Sequence, residues 1–133
     1  MVIDTSAIVA FLLDEPESKS FAQILAANSP LAISAVTLHE ASVVMAGKAK
    51  QAGVQLFDDF LRDSAIEVSS VTTEDALAAR EAYFRYGRGY HPAQLNLADC
   101  FAYALAKGRN EPLLFKGDDF AKTDIVPAWR PVE

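Results

Sequence analysis

Short apolar segments alternate along this chain with longer stretches whose apolar residues recur at helical spacing. The apolar segments are Val2-Ile3, Leu31–Ser34, Ile66–Val68 and Leu113–Phe115, with Ile125-Val126 as a candidate fifth. Strands separated by helices usually join one parallel sheet whose two faces are covered by those helices. The alternation therefore predicts an α/β fold with a short central parallel sheet of four to five strands and helices on both faces.

Capping residues and helix breakers set the expected helix boundaries. In the first part of the chain we expect a helix over Ala7–Leu13 with Thr5 or Ser6 as the cap, a second helix after Pro16, and a third from about Thr37 to Lys50 with a stop near Gly53. Further helices are expected over Gln55–Asp63 and over Thr73–Tyr86, and a last one from Asn96 to about Lys107 with Gly108 as the stop. No internal repeat or linker interrupts this pattern, so we expect a single domain over residues 1–133.

The composition is that of a globular cytoplasmic chain. Of the 133 residues, 51% are hydrophobic, which is enough to form a core. Cys100 is the only cysteine, so an internal disulfide framework is excluded and a reducing compartment is favoured. The apolar opening carries Asp4, lacks a basic start and is too short to span a bilayer. We therefore expect a cytoplasmic protein without a membrane segment.

The charge distribution neither supports nor excludes a nucleic-acid partner. The net charge of −6 argues mildly against one, because phosphate contacts call for a basic surface. Residues 1–79 carry 4 basic and 11 acidic side chains, whereas residues 80–133 carry 8 basic and 7 acidic ones. A cation bound by clustered acids would offset part of the deficit where a phosphate approaches.

Acidic residues stand where the predicted strands lead into helices. These acids are Asp4, Glu40, Asp99 and the pair Asp118-Asp119. Ligands of parallel sheets bind at the carboxyl ends of the strands, so these side chains are expected to meet at one edge. Clustered carboxylates repel one another and normally hold a hard cation such as Mg²⁺ or Mn²⁺. The two histidines and one cysteine are too few and too scattered for a typical zinc site.

Each acid taken alone also has a structural explanation. Thr37-Leu38-His39-Glu40 fits a capping box, and Asn96-Leu97-Ala98-Asp99 is a similar arrangement. Asp118 fits a plain N-cap. Asp4 is harder to explain in this way, because the end of an apolar strand is a costly place for an isolated charge. The joint pattern, rather than any single acid, indicates a metal site.

Four segments, kept in order and spacing, carry a family likeness. They are Val2-Ile3-Asp4-Thr5-Ser6-Ala7, Ile33-Ser34-Ala35-Val36-Thr37-Leu38-His39-Glu40, His91-Pro92-Ala93-Gln94-Leu95-Asn96-Leu97-Ala98-Asp99-Cys100 and Leu114-Phe115-Lys116-Gly117-Asp118-Asp119-Phe120-Ala121-Lys122-Thr123-Asp124-Ile125. The first two resemble the opening and second-acid segments of PIN domains. The last two resemble the third-acid and closing segments of one subgroup of VapC toxins, which belong to type II toxin–antitoxin systems. The resemblance covers residues 1 to about 126 and implies a PIN-like fold.

The resemblance implies a metal site for Mg²⁺, with Mn²⁺ as an alternative. Its ligands would be Asp4, Glu40, Asp99 and Asp119, with Thr5 or Ser6 as accessory contacts.

Two positions depart from the family pattern. Many PIN domains have acids at alternate positions before the closing Phe, and here those positions hold Gly117 and Asp119, with Asp118 between them as a substitute fourth acid. Tyr90 stands where a basic residue is expected.

The resemblance also implies an activity and partners. Such proteins cut RNA, often a tRNA or rRNA site, usually form homodimers, and are silenced by a cognate VapB-type antitoxin that inserts a segment into the acidic groove. We expect phosphodiester hydrolysis assisted by one or two Mg²⁺ or Mn²⁺ ions. Arg85, Arg88 and Lys116 are candidate contacts to the RNA backbone, with solvated surface charge as the alternative.

Three other functions compete with this interpretation. A phosphatase with Asp4 as nucleophile normally needs a second Asp two residues on, where this chain has Ser6. A receiver-like signalling domain needs an acidic pair after its first strand, where Asp4 stands alone. The stronger rival is a catalytically weak PIN-fold interaction module that acts through antitoxin and operator binding, and the shifted Asp118-Asp119 pair keeps this alternative open.

Overall fold

The computed structural model describes residues 1–132. Within that range, short strands alternate with helices in the order β1 (Val2–Ile3), α1 (Thr5–Leu12), α2 (Ser18–Ala27), β2 (Ala32–Ser34), α3 (Ala35–Asp63), β3 (Glu67–Ser69), α4 (Thr73–Tyr86), α5 (Leu97–Arg109) and β4 (Leu113–Leu114). A 3₁₀ turn over Phe120–Lys122 follows β4. No helix in residues 1–132 is long and apolar enough to cross a membrane.

The strands form one parallel sheet in the order β3-β2-β1-β4. Val2 of β1 lies opposite Ala32 of β2 and Leu113 of β4, and Ala32 lies opposite Glu67 of β3. The predicted α/β fold with a short parallel sheet is therefore confirmed. Its central strand is β1, so the residue that follows β1 lies near the middle of the carboxyl edge.

The expected fifth strand at Ile125-Val126 is wrong as a strand. This segment pairs with β4 only through an isolated bridge between Leu113 and Pro127. The Leu113 N–H donates to the Val126 carbonyl, and the Ala128 N–H donates to the Leu113 carbonyl. Only Leu113 of β4 takes part in this pairing among the described residues, so the segment adds one bridge rather than a strand.

Side chains alternate between two apolar layers, one on each face of the sheet. Ile3 and Leu114 pack in the layer covered by α1, α2 and α3, while Val2 and Leu113 pack in the layer covered by α4 and α5. This alternation follows from the two-residue period of a strand. Because both faces are buried, polar groups of the central strands can reach solvent only at the strand ends.

The structure corrects the expected boundaries of two helices, α1 and α5. The cap of α1 is Asp4, whose side chain accepts a hydrogen bond from the Ser6 N–H, so neither Thr5 nor Ser6 caps this helix. Helix α5 continues through Gly108 and ends at Asn110, which adopts the left-handed conformation with φ of 54°. Asparagine tolerates this conformation well, so a glycine is not required there.

Helix α3 begins earlier than the sequence suggested and resumes after a break to end at Asp63. Ser34 caps it by accepting from the Val36 N–H, so the expected capping box from Thr37 to Glu40 is wrong. Glu40 consequently lies in the second turn, where its carboxylate has no capping role. The interruption falls at Ala49 and Lys50, whose backbone angles are not helical, in agreement with the predicted helix end at about Lys50 and a few residues before the stop expected near Gly53.

Two glycines of α3 are expected to respond oppositely to alanine. A Cβ at Gly53 would overlap the Met45 carbonyl oxygen across the break, whereas a Cβ at Gly47 meets nothing within 4 Å. We predict that Gly53→Ala lowers the free energy of unfolding by about 1–3 kcal/mol through overpacking. Gly47→Ala should raise it by about 0.5–1 kcal/mol, because alanine favours a helix interior. Urea unfolding measures both, and equal stabilisation by the two variants would contradict the close packing at the break.

Candidate metal site

Asp4 places a buried carboxylate at the end of the central strand. The residue is only 4% exposed. Its Oδ2 accepts hydrogen bonds from the Ser6 N–H at 3.0 Å and from the Ser6 hydroxyl at 2.6 Å. Burial raises the pKa of Asp4, the Ser6 hydrogen bonds partly lower it, and the charge of Glu40 raises it again. Asp4 is thus held in one orientation in a place that disfavours an uncompensated negative charge.

Asp99 lies in the first turn of α5 and closes a capping box with Asn96. The Asp99 N–H donates to Asn96 Oδ1 at 2.9 Å, and the Asn96 N–H donates to Asp99 Oδ2 at 3.0 Å. Burial raises the pKa of Asp99 to about 7 against the opposing effect of the Asn96 hydrogen bond, and the charges of Asp4, Glu40 and Asp119 raise it further. Asp99 therefore interacts electrostatically with each of the other three acids.

One cleft of about 460 Å³ at the carboxyl edge brings together three of the four predicted metal ligands, Asp4, Glu40 and Asp99. Its lining includes Asp4, Thr5, Ser6, Glu15, Glu40, Asp99, Lys116 and Gly117. They come from the end of β1, the turn after α1, the second turn of α3, the first turn of α5 and the segment after β4. The acids of this cleft share its space because the parallel strands place their carboxyl ends side by side.

The segment after β4 separates the two neighbouring acids. Asp119 precedes the 3₁₀ turn, and its charge acts on the Asp99 carboxyl. Asp118 lines a different cleft, together with Phe115 and Trp129. Asp118 was expected to cap the turn. The residue before the turn is instead Asp119, and its side chain makes no capping hydrogen bond. Asp119 therefore acts on the carboxylate of Asp99 through its charge without lining the same cleft, whereas Asp118 lies in a different cleft.

Comparison with known proteins identifies the family. Residues 1–126 match the PIN domain. The chain belongs to the PIN-domain family. It is also 42% identical over 131 residues to ribonuclease VapC30 of Mycobacterium tuberculosis, a match that covers 98% of this chain and 100% of the relative. The resemblance to PIN domains and VapC proteins is therefore confirmed.

Solved structures share the fold of this PIN domain. The VapC20 toxin of Mycobacterium tuberculosis, described as cleaving the sarcin-ricin loop, superposes with a TM-score of 0.80 at 16% identity over 98% of both chains. A chain of a toxin–antitoxin complex from Klebsiella pneumoniae superposes with a TM-score of 0.71 at 24% identity, again over 98% of both chains. At these identities the likeness concerns the fold.

The donor set of the PIN-domain cleft fits a hard cation. Its acids supply only oxygen ligands, and their mutual repulsion is what a bound cation would relieve. Thr5 adds a buried hydroxyl oxygen that lacks a hydrogen-bond partner among the described residues. Within residues 1–132, no three His, Cys, Asp or Glu side chains are close enough to ligate one ion directly. Mg²⁺ commonly uses one or two carboxylates and keeps several waters, so this set suits Mg²⁺.

The three basic residues proposed as RNA contacts occupy different environments. Arg85 lies 5.0 Å from the centroid of the Tyr86 ring and 3.9 Å from the Asp124 carboxylate. Lys116 lines the metal cleft, but its Nζ lies 2.6 Å from the Glu15 carboxylate and 3.1 Å from the Glu17 carboxylate. Arg88 lines a separate groove between α4 and α5. The structure therefore does not bring these three side chains together.

Ser6 and Glu15 have roles in this PIN domain that depend on contacts distant in sequence. The Lys116 N–H donates to the Ser6 hydroxyl oxygen at 3.0 Å, and that hydroxyl donates to Asp4, so the segment after β4 helps to orient the Asp4 carboxylate. Ser6 was expected only as an accessory contact. Glu15 lies outside the predicted site residues, and no local motif marks it, because its role comes from the ion pair with Lys116.

The stability of the metal-free protein should depend on pH through Asp99. The folded-state pKa of about 7 lies above the ordinary value of 3.8, so the unfolded chain releases this proton first as the pH rises. The stability that protonated Asp99 contributes is therefore lost as the pH rises from 3.8 to about 7, and it stays lost at higher pH. We predict that Asp99→Asn raises the melting temperature in chelator above pH 7, with the difference shrinking toward pH 4. Parallel pH profiles for the two proteins would contradict this assignment.

Proposed function

We propose that this PIN domain is a metal-dependent ribonuclease that acts as the toxin of a type II toxin–antitoxin pair. The observation that carries the proposal is the cleft at the carboxyl edge, where Asp4, Glu40 and Asp99 converge and the charge of Asp119 acts on Asp99. The family relationship supports a nuclease, because relatives at 42% identity over nearly the whole chain are named ribonucleases.

The proposed site holds Mg²⁺, with Mn²⁺ as a substitute, through Asp4 and Asp99. Glu40 and Asp119 complete it through bridging waters, because no three acids of residues 1–132 lie close enough to ligate one ion directly. When bound, the cation supplies a water of lowered pKa and a positive charge that stabilises the phosphate during attack. The protein's own contribution is positional, because Ser6 orients Asp4 and the Asn96 capping box orients Asp99. No histidine is needed as a base in this scheme.

The proposed substrate is a structured RNA such as a tRNA or rRNA, in which one phosphodiester bond is hydrolysed. Arg85, Arg88 and Lys116 are proposed contacts to its backbone. We further propose that the protein works in the cytoplasm as a homodimer and that a VapB-type antitoxin silences it. A structural neighbour solved as a toxin–antitoxin complex supports the antitoxin partner through its shared fold.

Incubation with total RNA tests the ribonuclease proposal directly. Protein stripped of metal is added to RNA with Mg²⁺, with Mn²⁺ or with chelator, and the products are separated by size. Discrete fragments that require the cation support the proposal. If no lane shows cleavage, calorimetric titration with Mn²⁺ follows, and absence of both cleavage and cation binding would replace the enzyme by the interaction module.

Removing the Ser6 hydroxyl is expected to weaken cleavage without unfolding the protein. Ser6→Ala deletes the hydrogen bond that orients Asp4 and the link to the Lys116 N–H. Loss of an outer partner of a metal ligand typically costs about 10- to 100-fold in metal affinity or activity. Initial cleavage rates over a range of Mg²⁺ concentrations measure this effect.

A serine outside the cleft provides the control for Ser6→Ala. The Ser42 hydroxyl donates to the Leu38 carbonyl within α3 at 2.7 Å. Ser42→Ala should therefore cleave RNA at the wild-type rate. Equal activity of the two serine variants would remove Ser6 from the proposed positioning role.

A further inference from the structure

The Lys116 side chain joins the segment after β4 to the turn between α1 and α2. Its Nζ lies 2.6 Å from Glu15 Oε1 and 3.1 Å from Glu17 Oε2. The Glu17 oxygen is buried, and within residues 1–132 no cation other than Lys116 lies within ion-pair distance of it. A buried charge with a single partner depends strongly on that partner. We call Glu15, Glu17 and Lys116 the lysine clamp.

The turn that carries the two glutamates is itself held by backbone hydrogen bonds. The Glu15 N–H donates to the Ala10 carbonyl at 2.9 Å, and the Ser18 N–H donates to the Glu15 carbonyl at 2.9 Å. Pro16 stands between the two glutamates, and its ring fixes the backbone angle φ there. Both carboxylates therefore face Lys116 from a fixed backbone, which lowers the entropy cost of the ion pairs.

Residues 115–118 lack the backbone pairing that holds β4 in the sheet. The Asp4 N–H donates to the Leu114 carbonyl at 2.9 Å, but among the described residues no hydrogen bond between backbone groups involves residues 115–118. Phe115 is buried in the layer covered by α4 and α5. Lys116, the next residue, reaches the turn after α1 on the other side, as alternation along an extended chain requires. Side chains thus hold this segment from two sides.

The position of Lys116 is transmitted to Asp4 through two hydrogen bonds. The Lys116 N–H donates to the Ser6 hydroxyl oxygen at 3.0 Å, and that hydroxyl donates to Asp4 Oδ2 at 2.6 Å. A serine hydroxyl has one proton and rotates to suit its partners, so the N–H of Lys116 fixes the direction in which that proton points. Displacement of Lys116 would free the hydroxyl to rotate and would remove a fixed donor from Asp4.

We propose that Glu15 and Glu17 are positioning residues of the metal site. They hold the Lys116 ammonium and thereby keep the Lys116 N–H where it orients Ser6, and through it Asp4. This inference rests on the proposed metal-dependent ribonuclease function and adds two residues that act on the site without contacting the cation. Their role differs from that of a further acidic ligand, which would act through its own charge.

Positioning and charge predict opposite results when Lys116 is replaced. Lys116 lines the acidic cleft, so its ammonium repels a cation bound there. If charge alone mattered, Lys116→Met would bind Mn²⁺ more tightly than the wild type. With the clamp, the same variant should bind Mn²⁺ about tenfold more weakly, because loss of an outer partner of a metal ligand typically costs about 10- to 100-fold in metal affinity. Calorimetric titration with Mn²⁺ alone measures the difference and involves no RNA.

Combining the substitutions tests whether the glutamates act through Lys116. Glu15→Gln/Glu17→Gln should also weaken Mn²⁺ binding about tenfold. Adding Lys116→Met to this variant should give the same affinity as Lys116→Met alone, because residues that act through one another have effects that do not add. Additive losses would mean that the glutamates act on the cation through their own charge, which would overturn the proposal.

Hydrogen exchange in chelator reports on the segment when no metal is bound. In Glu15→Gln/Glu17→Gln the Lys116 amide should exchange several-fold faster than in the wild type, because its bond to Ser6 opens more often. The Asp4 amide, which donates to the Leu114 carbonyl in the sheet, should keep its wild-type rate. An unchanged Lys116 amide would overturn the proposal, and so would equal acceleration of both amides, since that indicates general loosening of the sheet.

Lys107 provides the matched control for Lys116. It also pairs with a carboxylate, that of Asp124 at 3.1 Å, but outside the acidic cleft. Lys107→Met should bind Mn²⁺ as the wild type does. Lys116→Arg keeps a cation near both glutamates and should restore most of the affinity that Lys116→Met loses, while circular dichroism establishes that each variant is folded. A raised KM for RNA with unchanged Mn²⁺ affinity in Lys116→Met would assign Lys116 to RNA contact alone and reject the clamp.

The two proposals fail in distinguishable ways. Mn²⁺ binding that Lys116→Met weakens, together with no RNA cleavage by the wild type, would retain the clamp and reject the nuclease. Metal-dependent cleavage by the wild type, with unchanged or tighter Mn²⁺ binding in Lys116→Met, would retain the nuclease and reject the clamp. A wild type that binds no Mn²⁺ would reject the metal site and the clamp together. With both proposals correct, Glu15→Gln/Glu17→Gln should need about tenfold more Mg²⁺ for half-maximal cleavage.

Discussion

Replacing Asp99 with asparagine is expected to lower the rate of RNA cleavage by about a thousandfold. Burial raises the pKa of Asp99, and the charges of Asp4, Glu40 and Asp119 raise it further, so a bound cation would stabilise its ionised carboxylate. A catalytic metal supplies several kcal/mol of transition-state stabilisation. Loss of about 4 kcal/mol corresponds to about three powers of ten in rate. Single-turnover cleavage of an identified RNA measures the effect, and calorimetric Mn²⁺ titration should show the accompanying loss of cation binding.

Asp75 offers a control with the same local structure. It closes a capping box with Thr72 at the start of α4, as Asp99 does with Asn96 at the start of α5. Asp75→Asn therefore perturbs a helix start in the same way but outside the acidic cleft. Its cleavage rate should match that of the wild type. If both variants lost activity equally, the effect of Asp99→Asn would come from the helix start and not from the metal site.

Truncating Phe57 is expected to have the largest effect on stability. Its side chain is fully buried in the apolar layer beneath α1, α2 and α3, where Phe21 and Met45 are also fully buried. Phe→Ala changes in such surroundings cost about 3–5 kcal/mol, because transfer free energy is lost and a cavity remains. This is a large share of the roughly 5–15 kcal/mol that holds a domain folded. Urea unfolding monitored by circular dichroism measures the change.

Phe84 is the natural control for Phe57, because it is a phenylalanine that is 51% exposed. Phe84→Ala leaves no closed cavity, and surface substitutions of this kind usually change stability by less than about 1 kcal/mol. A stability loss in Phe84→Ala as large as in Phe57→Ala would mean that the Phe84 ring is part of the core rather than of the surface.

The parallel sheet could be predicted from the sequence because its signals are local. Apolar segments such as Val2-Ile3 and Leu113–Leu114 bury both faces, so they stand out from the helical patterns that separate them. Thr73–Tyr86 begins at its predicted residue because the capping box of Thr72 and Asp75 spans only four residues. Interactions between near neighbours in sequence are visible without knowing the fold.

The fifth strand could not be judged from the sequence, since its pairing depends on a partner outside the segment. Ile125-Val126 is apolar, but the single bridge to β4 pairs Leu113 with Pro127, which lies beyond this segment. The end of the first part of α3 was predicted at about Lys50, where the break lies, but the close approach of Gly53 to the Met45 carbonyl across it is visible only in the packed chain. Sequence pattern records the preference of each segment but not the neighbour against which it packs.

The sequence by itself determined that acids follow a strand or lie near a helix start, and it therefore predicted that Asp4, Glu40 and Asp99 meet at one edge. Only the tertiary structure decided how their surroundings are built. The bond from the Lys116 N–H to Ser6 and the ion pair to Glu15 each join groups that are about a hundred residues apart. Burial and charge–charge distance set the electrostatics of such sites, and both are properties of the packed chain.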